Sequence, residues 1–585
     1  MNFARKLAEI CLAGIWICAV SVQALEPERA VPADAAYIVK IRDVGEYYNE
    51  LVNSKRLNAL LEAGTLPEVS AKMNELTAIL KGLEEEYGFD LRETMDNFLG
   101  REVIIAGAID GPAVFATRGH SAESLQKAVL QFQKLVEAET GSVTSRSDSY
   151  KGMEIETVSQ AKNTHSRVFY KDLLLASEEA KYLRQVIDVL AGDADSLMQS
   201  VPYRKALKQT PADGFITCYV DVSAFWSLAR VLRGSEILKK MPPKARNPWT
   251  KYILFRMSEL LPRIQSIAFS LHSTDRLTGR LHINFIGGKI PEELKTVFGE
   301  KGMGQSLPSF VPQNAVLAAS RRVKFEALWD DIIRVMGKSD PAAKQRLERG
   351  IERMTNMIGG IEGKKDFFEQ IGEQITFFAL ARRDEDKFPA AAVALELRKT
   401  EKIPNALRTL MGALAILGTA ENEEVSATLQ KLRYKEVPLT VTEIEANGPA
   451  GQFSPTLFVM DKTLFLTSDV TAAHSIVDTS KKKQKSSEKE NNEQKIAFGR
   501  MRLDMLLTRA MLEKYRAQII KNSVKNENKT RAQAEQELAA LKSFLILFKE
   551  LDLEAAYKKG QLDFNLTSCY SPLEAVRKNA CVPAR

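Results

Sequence analysis

Cysteine, histidine and tryptophan are scarce in this chain, at 5, 5 and 4 of 585 residues. So few cysteines cannot build a disulfide framework, and a chain of this length can bury enough apolar surface without one. The histidines stand at positions 120, 165, 272, 282 and 474. None lies in an H-E-x-x-H arrangement or beside a cysteine at ligand spacing, so the common zinc signatures are absent. There is no G-x-S-x-G elbow and no phosphate-cradling G-x-x-x-x-G-K-[ST] loop. Gly359-Gly360-Ile361-Glu362-Gly363 lacks the lysine–serine ending and reads as a loop between helices. The net charge of +7 is small for this length and both signs are mixed, without the basic stripe that nucleic-acid binding needs. No catalytic, cofactor or metal residues are therefore expected.

Long apolar runs are absent beyond the N-terminus, where Arg5 and Lys6 precede the run Ile10 to Val22. Val22-Gln23-Ala24 then places small residues at −3 and −1, which reads as a secretory signal peptide over 1–24, cleaved between Ala24 and Leu25. The run is short for a membrane span, which needs about 20 residues, although a retained anchor is the alternative. Neither Cys11 nor Cys18 has a lipobox context, and no mature transmembrane helix is expected. Export leaves Cys218, Cys569 and Cys581. Cys218 lies in the apolar run Phe215 to Val222 and reads as an inert thiol. Cys569 and Cys581 flank a short C-terminal stretch and form a candidate disulfide, with two free thiols as the alternative.

The composition itself, 45% hydrophobic and 27% charged, is that of an ordinary globular protein, and the length suits several domains. What the chain does have is a long internal repeat. Val31-Pro32-Ala33-Asp34-Ala35 is answered about 280 residues later by Val311-Pro312-Gln313-Asn314-Ala315. Asn97-Phe98-Leu99-Gly100 before a β-rich run matches Glu369-Gln370-Ile371-Gly372. These glycines read as helix ends in the left-handed conformation. Tyr150-Lys151 recurs as Tyr434-Lys435. Ser177 and Ser468 read as helix N-caps, while Asp221 and Asp504 stand where the chain should turn helical. Gly279 to Phe285 is answered by Gly560 to Leu566, the last hairpin strand of each copy.

Strands and helices without strict βαβ alternation predict an α+β fold. The expectation is two tandem similar domains, each a largely antiparallel sheet with packed helices. The first spans 25–290, a linker 291–308, and the second 309–568, followed by a tail over 569–585. The polar, lysine-rich stretch near 480–495 cannot bury apolar area and reads as a disordered loop.

Possible polar sites are few. Glu84-Glu85-Glu86, Asp330-Asp331 and Glu421 with Glu423 and Glu424 read as solvated helix faces or turns. Trp329 and Trp226 sit in apolar patterns. Trp249, beside Pro248 in the charged stretch Pro242 to Lys251, is the tryptophan placed to be exposed. Because His282 becomes Asp563 in the second copy, a duplicated metal or acid/base site is not supported.

Three segments resemble a bacterial family of exported proteins that carry a domain of unknown function: Pro32-Ala33-Asp34-Ala35-Ala36-Tyr37, Phe98 to Val103, and Tyr150 to Ile155. The resemblance covers most of 30–290, with a weaker echo in the second half. It implies location and architecture and supplies no catalytic residues. The leading expectation is a non-catalytic envelope protein, periplasmic or cell-surface, that binds or scaffolds an envelope protein, glycan or lipid. The alternatives are a hydrolase acting on envelope polymers, and a carrier holding a lipid or other amphiphile in an apolar cavity.

Overall fold

A computed structural model describes residues 27–45, 78, 81–82, 84–108, 111–140, 144–160, 163–210, 214–225, 248–273, 276–298, 307–357, 363–380, 389–421, 425–446, 453–483, 496–527, 529–558 and 561–570. The segment read as a signal peptide, with Ala24 and Leu25, Cys581, Trp226 and most of the polar stretch near 480–495 lie outside these residues.

The chain forms two compact units. The described residues within 1–228 and 264–284 belong to the first, and those within 229–263 and 285–570 to the second. This differs from a boundary at 290. The helix Pro248–Leu260 lies in the first half of the sequence, yet it packs in the second unit on the helix Phe325–Ser339. Local periodicity marks a helix but does not say which core receives it.

In the first unit, strand β1 (Tyr37–Arg42) runs antiparallel between β2 (Glu102–Gly107) and β8 (Ile216–Asp221). From β2 the sheet continues through β3 (Ala113–Arg118), β7 (Leu173–Ser177), β6 (Asn163–Tyr170) and β5 (Met153–Gln160) to β4 (Thr144–Tyr150). From β8 it continues through β9 (Ile264–Ser273) to β10 (Arg276–Phe285). One face packs Ile38, Ile104, Val114 and Leu175 against Leu183, Val186 and Ile187 of the helix Ala180–Ala191, and against Tyr203 of the helix Val201–Leu207. The other packs Phe169 and Leu174 against Leu125, Val129 and Phe132 of the helix Ala122–Thr140. Alternation along each strand, with period two, supplies both faces.

In the second unit, β11 (Ala315–Arg322) lies between β12 (Ile371–Leu380) and β18 (Ile496–Asp504). One side continues through β13 (Ala390–Leu397), β17 (Thr463–Thr467), β16 (Thr456–Met460) and β15 (Val437–Ala446) to β14 (Val425–Tyr434). The other continues through β19 (Phe548–Lys558) to β20 (Gln561–Tyr570). Phe378, Phe458 and Phe465 face Ala473, Ile476 and Val477 of the helix Val470–Lys483. The fold is α+β on largely antiparallel sheet. No helix among the described residues is long and apolar enough to cross a membrane.

Two expectations about local chemistry are corrected. Gly100 ends its helix at φ −59°, in the right-handed region, and Gly372 lies inside β12. Their common need is space. A Cβ at Gly100 would stand 2.2 Å from the Asp96 carbonyl oxygen, and one at Gly372 would stand 2.5 Å from the Glu396 side chain. The left-handed helix end belongs instead to Gly192, at φ 86°. Ser177 and Ser468 are not the helix caps. The position before the first helix is Glu179, and Asp469 caps the second by accepting the Ala472 N–H at 2.9 Å. Asp504 does cap the helix Met505–Lys514, accepting the Leu507 N–H at 2.8 Å.

Candidate functional site

Three polar clusters stand out. The first is a pair of clasps, one in each unit. In the first unit the β4–β5 turn carries Tyr150-Lys151-Gly152, with Lys151 at φ 49° and Gly152 at φ 76°. Two consecutive positive φ values make the tight turn whose twist suits a hairpin. The turn presents two neighbouring donors to one acceptor. Tyr150 Oη donates to Asp188 Oδ1 at 2.9 Å, and Lys151 Nζ donates to the same carboxylate and to Asp193 at 2.5 Å. These bonds hold the Asp188 carboxyl below its usual range. The Arg184 guanidinium lies over the Tyr150 ring, 5.5 Å from its centroid.

In the second unit the β14–β15 turn carries Tyr434-Lys435-Glu436. Tyr434 Oη donates to Asp478 at 3.1 Å and Lys435 Nζ donates at 2.6 Å. His474 stacks on the Tyr434 ring, with centroids 3.8 Å apart. Burial lowers the pKa of this imidazole, against the opposing pull of Asp478 and Asp469. Each clasp ties a hairpin turn to a helix. The repeated Tyr-Lys dipeptide was visible in sequence. Its acceptors were not, although Asp188 and Asp478 stand eight residues after the starts of their helices, Ala180 and Val470.

The second cluster is buried charge in the first unit. Lys40 Nζ lies 2.7 Å from Glu28 and 2.5 Å from Glu102, and all three residues are buried. Glu102 also meets Arg118, which reaches Asp172 at 3.2 Å. Tyr203 Oη lies 3.5 Å from Glu28, and burial, followed by that carboxylate, pushes its phenol well up. Every carboxylate named here faces a cation. A general acid needs the opposite arrangement, a carboxyl in apolar surroundings whose pKa is raised.

The third cluster joins the helices Pro248–Leu260 and Phe325–Ser339 in the second unit. Asp331, expected on a solvated face, is 7% exposed. It accepts from Tyr252 Oη at 2.8 Å and Arg334 at 2.8 Å, and pairs with Arg256 at 3.3 Å. Glu259 receives Arg334 at 3.0 Å and Lys338 at 2.8 Å, and the Arg334 bond, ahead of the others, holds its carboxyl down at about 2. Burial and the Asp331 bond push the Tyr252 phenol up. The burial of Asp331 is not legible in sequence because two of its partners, Tyr252 and Arg256, come from a helix some 80 residues earlier. Asp330, beside it, turns outward to Lys364.

The other singled-out residues stay apart. His120 pairs with Asp96 at 3.0 Å on the surface, and His282 is buried in β10. Glu84, Glu85 and Glu86 lie on a short helical stretch, with Glu85 paired to Lys81. Trp329 packs beside Phe368, with centroids 6.5 Å apart. Cys218 is partly buried in β8, and Cys569 lies in β20 opposite Glu550. Among the described residues no group of three or more His, Cys, Asp or Glu could hold a metal ion.

Comparison with curated proteins and with solved structures returns no match. Residues 10–275 match the family model described as "Protein of unknown function (DUF3352)", a family without established activity of the kind that the motifs at Pro32, Phe98 and Tyr150 resemble.

Proposed function

We propose that this chain is an exported envelope protein, periplasmic or cell-surface, with a non-catalytic binding or scaffolding role built on two similar α+β domains. The observation that carries this reading is what recurs between the units. The strand order is the same, and the recurring polar set is the Tyr-Lys-Asp clasp, which spends its donors on holding a hairpin to a helix. Duplication then specifies a scaffold, and its ligand is an envelope protein, glycan or lipid. The signal-like N-terminus supports export.

Cell fractionation and crosslinking of the native protein, followed by mass spectrometry, test this reading. The expected result is an envelope fraction cut after Ala24 and a recurrent crosslinked partner. A cytoplasmic protein with an intact N-terminus, or a partner-free monomer, would overturn it. One observation favours the envelope hydrolase. Asp552 on β19 is raised by partial burial and by Glu550 two residues away, against Arg502 and Arg500. Turnover of envelope glycan by purified protein, lost in Asp552→Asn, would select that reading.

A further inference from the structure

Strand β4 (Thr144–Tyr150) is an open edge of the first sheet. Among the described residues it pairs with β5 alone, in one unbroken antiparallel register from Thr144 opposite Ser159 to Tyr150 opposite Met153. Thr144 to Ser149 are all exposed. An edge strand offers a row of unused backbone donors and acceptors, and proteins blunt such a row with proline, a bulge, or charges that repel a second strand. β4 contains no proline, its ladder has no bulge, and its two charges, Arg146 and Asp148, have opposite sign.

The turn fixes which backbone groups are unused. Tyr150 and Met153 close a two-residue loop, with Lys151 and Gly152 both at positive φ. Residues that flank such a loop form a hydrogen-bonded pair, and the pattern alternates along the strand. The backbone of Arg146 and Asp148 therefore bonds inward to β5, while the N–H and C=O of Ser145, Ser147 and Ser149 point away from the sheet. By period two, the Arg146 and Asp148 side chains share one face of the strand. Asp148 accepts from Arg184 at 2.5 Å, and among the described residues Arg146 makes no ion pair.

We infer that β4 is a dimerisation edge, pairing antiparallel with β4 of a second copy of this chain about a twofold axis at Ser147. In that register the charges match. Arg146 stands opposite Asp148 of the second copy, and Asp148 opposite its Arg146. These are the non-hydrogen-bonded positions of the new ladder, where Cα atoms approach to about 4.5 Å and side chains are closest. The outward groups of Ser145, Ser147 and Ser149 supply about six backbone bonds between the copies. The corresponding edge of the second sheet, β14, does not fit itself in this way. Its charges are Lys431 and Arg433, with no carboxylate, so two copies would meet with excess positive charge. Two strands of 7 residues bury less than the roughly 800 Å² per partner of a standard interface, so the dimer is a weak one, formed at high concentration. The inference goes beyond the binding reading above and does not depend on it.

The test is sedimentation equilibrium, at rising concentration, of the protein purified from its native cells with whatever N-terminus it carries there. The mass should climb from monomer towards dimer. Arg146→Glu and Asp148→Lys, each alone, set like charges opposite one another and should weaken self-association about tenfold. Mixed in equal amounts, the two variants match again, and a heterodimer should form about as readily as the wild-type dimer. Ser147→Pro removes an outward N–H without taking a bond from the β4–β5 ladder, and should abolish the dimer at an unchanged unfolding midpoint. If that variant disturbs folding, the charge variants and their mixture decide. A monomer at every concentration, a dimer indifferent to these substitutions, a mixture that does not recover, or growth into longer polymers would overturn the inference. A monomer that still crosslinks to an envelope partner would remove this inference and leave the binding reading in place.

Discussion

At the centre of the first sheet, Lys40 of β1 is buried against Glu102 of β2. At the same place in the second sheet, Ser320 of β11 meets Thr376 at 2.8 Å and receives Gln374 of β12 at 3.1 Å. Both β1 and β11 run between the same two kinds of neighbour, so the two solutions occupy one position. One is ionic and one is neutral. Likewise Arg167, fully buried in β6 and bonded to Glu156 at 2.9 Å, stands where β16 has Leu457 and β15 has Thr440. The backbone arrangement therefore does not require the charges. Buried ion pairs are held in place by the cost of breaking them more than by any net gain over neutral groups.

That contrast can be broken by mutation. Lys40→Ser alone strands Glu28 and leaves Glu102 only its longer contacts with Arg42 and Arg118, and should cost about 3–5 kcal/mol in a urea titration. Adding Glu102→Gln and Glu28→Gln, after the second unit's neutral pattern, should recover most of it. Failure of the triple variant to recover would show that the ionic solution is needed for more than charge balance.

The two tight glycines sharpen the comparison. Gly100→Ala drives a methyl into the Asp96 carbonyl oxygen, which belongs to helix backbone and cannot step aside. The cost should be about 1–3 kcal/mol in thermal unfolding. Gly372→Ala meets only the flexible Glu396 side chain and should cost less. Equal costs would mean that Glu396 is fixed by the Glu373 and Gln374 N–H groups it accepts at 3.0 Å.

The clasp on the helix Pro248–Leu260 lies in the second unit. Glu259→Gln should lower stability by about 1–2 kcal/mol at neutral pH, the full pKa shift being discounted for partial exposure. The folded carboxyl titrates at about 2, below its ordinary value of 4.5, so its stabilisation is present above about 4.5 and lost as pH falls towards 2. Unfolding curves of wild type and variant should converge there. A constant difference across that range would refute the ionic origin.

The smallest effect concerns the stacked partners of the clasps. His474 is held neutral by burial, so its contribution is present above the ordinary histidine pKa and declines as pH falls below it. Arg184 over Tyr150 keeps its charge throughout. Hydrogen exchange in the Tyr434 turn should therefore quicken at mildly acidic pH while that in the Tyr150 turn does not. His474→Arg should remove the difference.

Much of this was legible in sequence because it depends on neighbours along the chain. The hairpins Val168 to Ser177 and Leu457 to Ser468, the helix start at Asp504 and the Tyr-Lys turns follow from period, turn chemistry and caps. The misreadings were of another kind. Gly100 does end its helix, but neither it nor Gly372 takes the left-handed conformation; each is small because something distant in sequence, or the turn beneath it, fills the space. Asp331 looks solvated because Tyr252 and Arg256, which meet it from another helix, lie about 80 residues away in sequence.

The sequence by itself determined the α+β class and the local succession of strands, turns and helices, since these rest on local periodicity and short-range turn geometry. Only the tertiary structure decided which unit takes the helix Pro248–Leu260, which carboxylates are buried, and which aspartates close the Tyr-Lys clasps. Those are long-range pairings, chosen by burial and charge among many residues of suitable type, and no local pattern singles out the partner.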